Sequence, residues 1–382
     1  MINEQTYKSQ IASILKCNAE QVFLYWKGRV ALYAILKAMD IKDGDEIVLP
    51  AFTCVVVPNA ILYLKARPVY VDISAEDYNI DINLIEKSIS KKTKAIICQN
   101  TFGLSSNIEK ILQIAKKYNL LTVEDCTHGF GGYYNGKPNG SYCDAAFYST
   151  QWNKPFSTGI GGFLVVNNNE LIDKIKTLET DKIQPDFKER LVLSALLILN
   201  KYLINRFTYW TLLKFYRFLS KKNLVIGSNR GEELSEVKMP INYFKDISLV
   251  QVKAGVKELS QIDLINKLRK KNAKDYTRFL KSKYKTYVKE SSFKNHLFLK
   301  YPILVKDRNL FLRLAEEDKI SLGDWFLSPL HPVKENLEQW ELKRDMFPVA
   351  DRISGKILNL PTDVKDNIRV INFLSKHLEL LD

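Results

Sequence analysis

The chain has 382 residues, 46% hydrophobic and 26% charged, an ordinary globular composition long enough for one large domain and a smaller one. Its five cysteines, Cys17, Cys54, Cys98, Cys126 and Cys143, are scattered and form no CxxC pair, which argues against a metal site or a disulfide framework and suits reduced thiols in a cytoplasmic protein. The net charge of +14 comes with no recognition helix, finger or aromatic RNA-binding pattern, so anionic substrates, an anionic lipid surface or a lysine-rich proteome explain it better than nucleic acid.

The N-terminus lacks a basic region followed by an apolar core, so no signal peptide is expected. Gly28 opens a helix predicted over 29–39, and a glycine at a helix start suits phosphate binding by backbone N–H groups. A turn and strand follow to Pro50, then a helix over 53–65, a strand over 68–71 and a helix over 81–90. Strands over 94–98 and 120–123 flank a helix over 107–118. This alternation predicts an α/β fold with a mostly parallel sheet and helices on both faces. Beyond it, a long charged helix over 249–279, a strand over 297–305 and helices over 308–318 and 347–357 predict a smaller α+β domain. The expected division is a large domain, 1–250, carrying an insertion at about 182–238, and a small domain, 251–382.

Two places carry chemistry. The strand that ends at Asp125 is followed by a glycine-rich loop, and a carboxylate at the carboxyl end of a strand is where open α/β sheets place ligand groups. Downstream, an apolar strand ends at Ser149, Lys154 follows five residues later, and a Gly-rich turn leads into the strand 163–166. A lysine held between two packed strands is costly unless it has a task, and a Schiff base with a carbonyl is one that suits an amine in a partly dry pocket. Pyridoxal phosphate would supply both an aldehyde for Lys154 and an anion for Ser149, and Asp125 could pair with its protonated ring nitrogen. The bland readings are a solvated lysine and a loop or cap aspartate.

Several motifs in order, Gly28-Arg-Val-Ala-Leu32, Gly44-Asp-Glu-Ile-Val-Leu-Pro50-Ala-Phe-Thr53, Pro68-Val-Tyr-Val-Asp72-Ile, Thr93-Lys-Ala-Ile-Ile97, Glu124-Asp125, Lys154, Phe347-Pro-Val-Ala-Asp351 and Asn359-Leu-Pro361, resemble the DegT/DnrJ/EryC1/StrS sugar aminotransferases over residues 25–180 and 239–375. The resemblance implies a fold-type I pyridoxal 5′-phosphate transferase. Its large sheet domain would be flanked by helices, followed by the smaller C-terminal α+β domain. It also implies a homodimer with active sites at the interface, and amino transfer from glutamate to a keto-sugar. By the same resemblance Lys154 carries the cofactor and moves the proton. Asp125 binds the pyridine nitrogen and His128 lies beside the ring. Ser149 and the backbone at Gly28, Arg29 and Val30 hold the phosphate, and Asn242 is a further phosphate contact. A sister branch has His at the lysine position and dehydrates instead; Lys154 argues against that branch. This sequence departs from the pattern at Cys54, where an aromatic often covers the ring, and at Gly323-Asp324-Trp325-Phe326. Those departures keep two alternatives open: transamination of a non-sugar ketone, and a non-catalytic membrane-associated regulator on the same fold.

The insertion is apolar and basic. From Lys201 to Lys222 there are six basic residues and no acid. Its longest uncharged stretch, Leu191–Asn200, is far short of the ~20 apolar residues a spanning helix needs. A packed helical hairpin is one reading of 191–222. An in-plane element on an anionic membrane is the other, which would make the protein peripheral on the inner face and would suit a lipid-linked sugar in surface polysaccharide or glycolipid synthesis.

Overall fold

The computed structural model describes residues 2–203, 208 and 232–382. In chain order the strands are β1 (Val22–Tyr25), β2 (Glu46–Pro50), β3 (Thr53–Cys54), β4 (Arg67–Val71), β5 (Thr93–Gln99), β6 (Leu121–Asp125), the short hairpin β7 (Tyr133–Tyr134) and β8 (Lys137–Pro138), then β9 (Ala145–Ser149), β10 (Gly162–Val166), β11 (Tyr301–Leu304), β12 (Leu330–His331) and β13 (Ile357–Leu360). The helices used below are α1 (Glu4–Leu15), α2 (Gly28–Ala38), α3 (Val56–Leu62), α4 (Ile82–Ser88), α5 (Ile108–Lys117), α6 (Asn169–Glu179), α7 (Phe187–Leu203), α8 (Glu232–Ser235), α9 (Leu249–Leu259), α10 (Ile262–Ser282), α11 (Arg308–Glu317), α12 (Pro348–Ser354) and α13 (Ile368–Lys376).

A seven-stranded sheet runs in the order β1-β10-β9-β6-β5-β2-β4. The neighbours from β9 to β4 pair in parallel, while β10 is antiparallel to both β9 and β1. The sheet is covered on both faces, so successive strand residues feed opposite cores. Ile47, Leu49, Ala95, Ile97, Val123 and Phe147 pack with α2, α3 and α6. On the other face Val48, Ile96 and Cys98 meet Ile85, Ile108 and Ile111 of α4 and α5. Ala146, Tyr148, Phe163 and Val165 meet α1 and α9 on that face. A further core gathers Tyr276, Phe298, Tyr301, Ile303, Phe311, Leu358 and Phe373 from the C-terminal segment.

The α/β class is as expected, and several boundaries differ. The helix expected over 53–65 begins only at Val56, because Thr53 and Cys54 are drawn into a parallel pair with Leu330 and His331. The long helix over 249–279 is two helices, α9 and α10, broken at Ser260–Gln261: Val252 and Leu259 serve the core with α1, whereas Ala273, Tyr276 and Leu280 serve the C-terminal core. The strand over 297–305 shrinks to 301–304 because Leu297 and Lys300 bond through their backbones to Gly103 and Phe102. The last predicted helix stops at Ser354, and Ile357 opens β13. Part of the C-terminal segment, Phe326, Leu330, Trp340, Phe347 and Ile353, packs into the core of the large sheet. Of the insertion, α7 is helical as expected, and 204–207 and 209–231 lie outside the described residues.

Candidate active site

The parallel registers place Asp125 beside Gln99 on one side and Phe147 on the other, so Asp125 and Ser149 emerge at the same carboxyl edge of the sheet. A cavity of about 160 Å³ opens there, lined among others by Lys27, Gly28, Arg29, Cys54, Asp125 and His128. Ser149, Lys154, Trp325 and His331 also line it. This is the ligand position that open α/β sheets favour.

Lys154 sits in the loop between β9 and β10. The loop is closed by Thr150 N–H to Gly161 O at 2.9 Å, Trp152 N–H to Gly159 O at 3.2 Å and Thr158 N–H to Thr150 O at 2.7 Å. From outside, Arg269 donates to Pro155 O at 3.0 Å. Burial pushes the Lys154 amine down to about 8, opposed by the nearby Asp125 carboxylate. Asp125 is only 4% exposed, and burial raises its pKa against the lowering effects of Thr127 and Lys154. Thr127 N–H donates to Asp125 Oδ1 at 2.9 Å. The adjacent Glu124 points to the other face, where it accepts from Asn100 Nδ2 at 2.8 Å and Gly140 N at 2.7 Å. Strand alternation thus separates the two acids: Asp125 faces the cavity and Glu124 ties loops together.

The α2 N-terminus meets the end of β9 very closely. A Cβ on Gly28 would lie 2.8 Å from Tyr148 O and 2.9 Å from Ser149 Cβ. Only glycine permits that approach, which sets a helix N-terminus against the Ser149 hydroxyl, a natural anion cradle. Arg29 lines the cavity, and its guanidinium pairs with Glu233 of α8 at 2.6 Å. Val30 is buried in the apolar core, and its N–H donates to Lys27 O at 3.1 Å, so it does not join the cradle as expected. Asn242 is exposed and does not line the cavity; from that stretch it is Tyr243 that reaches α2, donating to Arg29 O at 3.1 Å.

His128 is buried, and its Nδ1 accepts Phe102 N–H at 3.3 Å. Burial, with Lys154 nearby, holds it well below the usual histidine range, so it is neutral. Trp325 lies parallel to it, ring centroids 4.7 Å apart with an interplanar angle of 4°. Lys154 Nζ stands 4.6 Å from the Trp325 ring centroid. The β3–β12 pairing brings Trp325, Phe326 and His331 over the cavity beside Cys54. Burial pushes the Cys54 thiol up and His331 down to about 4. In the sequence Trp325 stands out only as a departure from the pattern, and nothing local marks Gln99, Gln151 or Trp152, which also line the cavity. Tertiary pairing, with no local pattern, brings these groups together.

A family model described as the DegT/DnrJ/EryC1/StrS aminotransferase family matches residues 7–196 and 227–369. The chain belongs to this family. It is 29% identical over 346 residues (90% of this chain and 81% of the relative) to a dTDP-3-amino-3,6-dideoxy-alpha-D-galactopyranose transaminase of Aneurinibacillus thermoaerophilus. A GDP-perosamine synthase of Escherichia coli O157:H7 is 40% identical over 147 residues, 38% of this chain and 40% of that one. The crystal structure of NtdA from Bacillus subtilis, solved with bound cofactor PMP, superposes with a TM-score of 0.71 at 21% identity, covering 98% of this chain and 77% of that chain. The family's aminotransferases depend on pyridoxal phosphate. The residues here fit that group: a buried amine at Lys154, a buried carboxylate at Asp125, and a cradle at Gly28 and Ser149 that a single added Cβ would fill.

Proposed function

We propose that this aminotransferase moves an amino group from glutamate to a keto carbon of a nucleotide-linked sugar. The observation that carries the reading is the buried Lys154 amine facing the Asp125 carboxylate beside the Gly28–Ser149 cradle. The two relatives above, one named for a dTDP-sugar and one for a GDP-sugar, support the acceptor class. Pyridoxal phosphate supplies the electron sink when bound. Asp125 would hold the ring nitrogen protonated, and Ser149 with the α2 N-terminus would hold the phosphate. Lys154 Nζ, with a pKa of about 8, takes a proton from the donor's Cα and returns it along the transfer path. Neutral His128 and the Trp325 indole form a flat wall that orients a planar ring and excludes water.

In this reading the protein is a cytoplasmic homodimer in polysaccharide or glycolipid synthesis, with residues 1–250 and 251–382 as its two domains. Among the described residues no helix is long and apolar enough to cross a membrane. Peripheral contact is supported by α7, which exposes Phe187 (71%), Leu191 (58%), Ile198 (59%) and Tyr202 (67%) among Lys188, Arg190 and Lys201. Purified protein with pyridoxal phosphate should show a visible band that L-glutamate shifts, and Lys154→Ala should bind the cofactor without turnover. A wild-type rate in that variant would refute the assignment. Flotation with anionic vesicles tests α7, and protein that stays at the bottom of the gradient counts against a membrane role.

A further inference from the structure

Three half-buried or buried lysines outside the catalytic loop can be compared. Lys182 pairs with Glu179 at 2.6 Å and Asp246 at 2.7 Å, and Lys245 pairs with Glu189 at 2.6 Å. Lys300 makes neither a side-chain hydrogen bond nor an ion pair among the described residues. Its Nζ lies over the Trp325 indole, 5.7 Å from the ring centroid. Burial lowers its pKa, while Asp363 and Asp324 support it only from a distance and Arg269 opposes it. Arg269 is itself 2% exposed, and its Nε has no hydrogen-bond partner.

An ammonium partly withdrawn from water without a partner is costly, and Lys182 and Lys245 meet that cost with carboxylates where Lys300 does not. Flexibility does not explain the exception. Lys300 N–H donates to Phe102 O at 3.3 Å, and Phe102 N–H donates to His128 Nδ1 at 3.3 Å. Leu299 O accepts the Thr362 hydroxyl at 3.0 Å. The residue is tied to the cavity wall, and its amine and that of Lys154 address one and the same indole.

We propose that Lys300 is the anion-recognising residue of this site, receiving an oxyanion of the substrate whose reacting carbon sits at Lys154, with Trp325 setting the spacing between the two amines. The proposal rests on the aminotransferase reading. The shared chemistry is a carboxylate or phosphate oxygen: the amino donor would bring the first, the nucleotide-linked acceptor the second.

The test uses cofactor-loaded wild-type protein, Lys300→Met and Lys300→Arg. Binding of 2-oxoglutarate and of UDP is followed by calorimetry, and melting temperature is measured alongside. Lys300→Met should weaken one probe at least tenfold, and Lys300→Arg should retain most of that binding. Loss of 2-oxoglutarate binding assigns Lys300 to the donor carboxylate, and loss of UDP binding assigns it to the acceptor phosphates. Lys300→Met should melt no lower than wild type, since it removes an unpaired cation. Unchanged binding of both probes, or a collapse of the fold in Lys300→Met, would overturn the proposal by showing a structural role. Failure of wild-type protein to take up pyridoxal phosphate would instead refute the parent reading.

Discussion

Replacing Gly28 by alanine tests whether the helix–strand approach at the cavity is what binds the cofactor's phosphate. The added Cβ would lie 2.8 Å from Tyr148 O and 2.9 Å from Ser149 Cβ, with Ser149 Cα at 3.1 Å. Ordinary contact begins at 3.4 Å, so α2 or the end of β9 must yield by about 0.5 Å. None of these atoms is the tip of a flexible side chain. Both strands flanking β9 are paired, with Ser149 opposite Gly162, so the sheet cannot give way cheaply. Overpacking of this kind costs about 1–3 kcal/mol. The displacement opens the gap between the helix N-terminus and the Ser149 hydroxyl, where hydrogen bonds weaken steeply with geometry. A loss of about 1.4 kcal/mol corresponds to a tenfold rise in the dissociation constant. Absorbance titration of the apoprotein with pyridoxal phosphate should therefore show Gly28→Ala binding at least tenfold more weakly, with a lower melting temperature. Cofactor affinity within twofold of wild type, at an unchanged melting temperature, would show that this contact is not the phosphate cradle.

Cofactor capture should follow the neutral form of Lys154. With its pKa at about 8, the neutral fraction rises about fivefold between pH 7 and pH 8, so the rate of pyridoxal phosphate uptake should rise similarly and level off above pH 9; a flat profile would contradict a depressed amine. Burial lowers this pKa below that of an unfolded lysine, so at this residue the unfolded chain binds more protons between about 8 and 10.5. The Lys154 contribution to stability should therefore improve as pH rises through that window, which denaturant titrations of Lys154→Met and wild type can compare. Glu233→Gln removes the carboxylate that pairs with Arg29 at 2.6 Å and with Lys27 at 4.0 Å and should cost roughly 3 kcal/mol in urea unfolding, the scale of breaking a buried ion pair; an unchanged midpoint would show these pairs to be dispensable.

Much of this protein is legible in one dimension. Apolar runs such as Ile47–Leu49 and Ala95–Cys98, separated by helical periods, suffice for a parallel sheet, because strands buried on both faces have little choice of residue. Asp125 and Lys154 could be singled out because a charged group at a strand end, or between strands, is improbable without a task, and Ser149 because it ends the strand five residues before that lysine. Gly28 carried its signal in the same way, as a glycine where a helix starts.

The sequence by itself therefore determined the fold class, the family and the groups that meet at the sheet's carboxyl edge. Only the tertiary structure decided what covers that edge. Thr53–Cys54 pairs with Leu330–His331 across nearly 280 residues of chain, and that pairing carries Trp325 onto His128 and past Lys154. It likewise decided that Val30 serves the core, that Asn242 lies outside the cavity, and that Lys300 makes no ion pair among the described residues. The physical reason is that secondary structure follows from local periodicity and burial. Which side chain fills a gap depends on backbone groups far apart in sequence whose hydrogen bonds must be satisfied somewhere, and no local pattern records that choice.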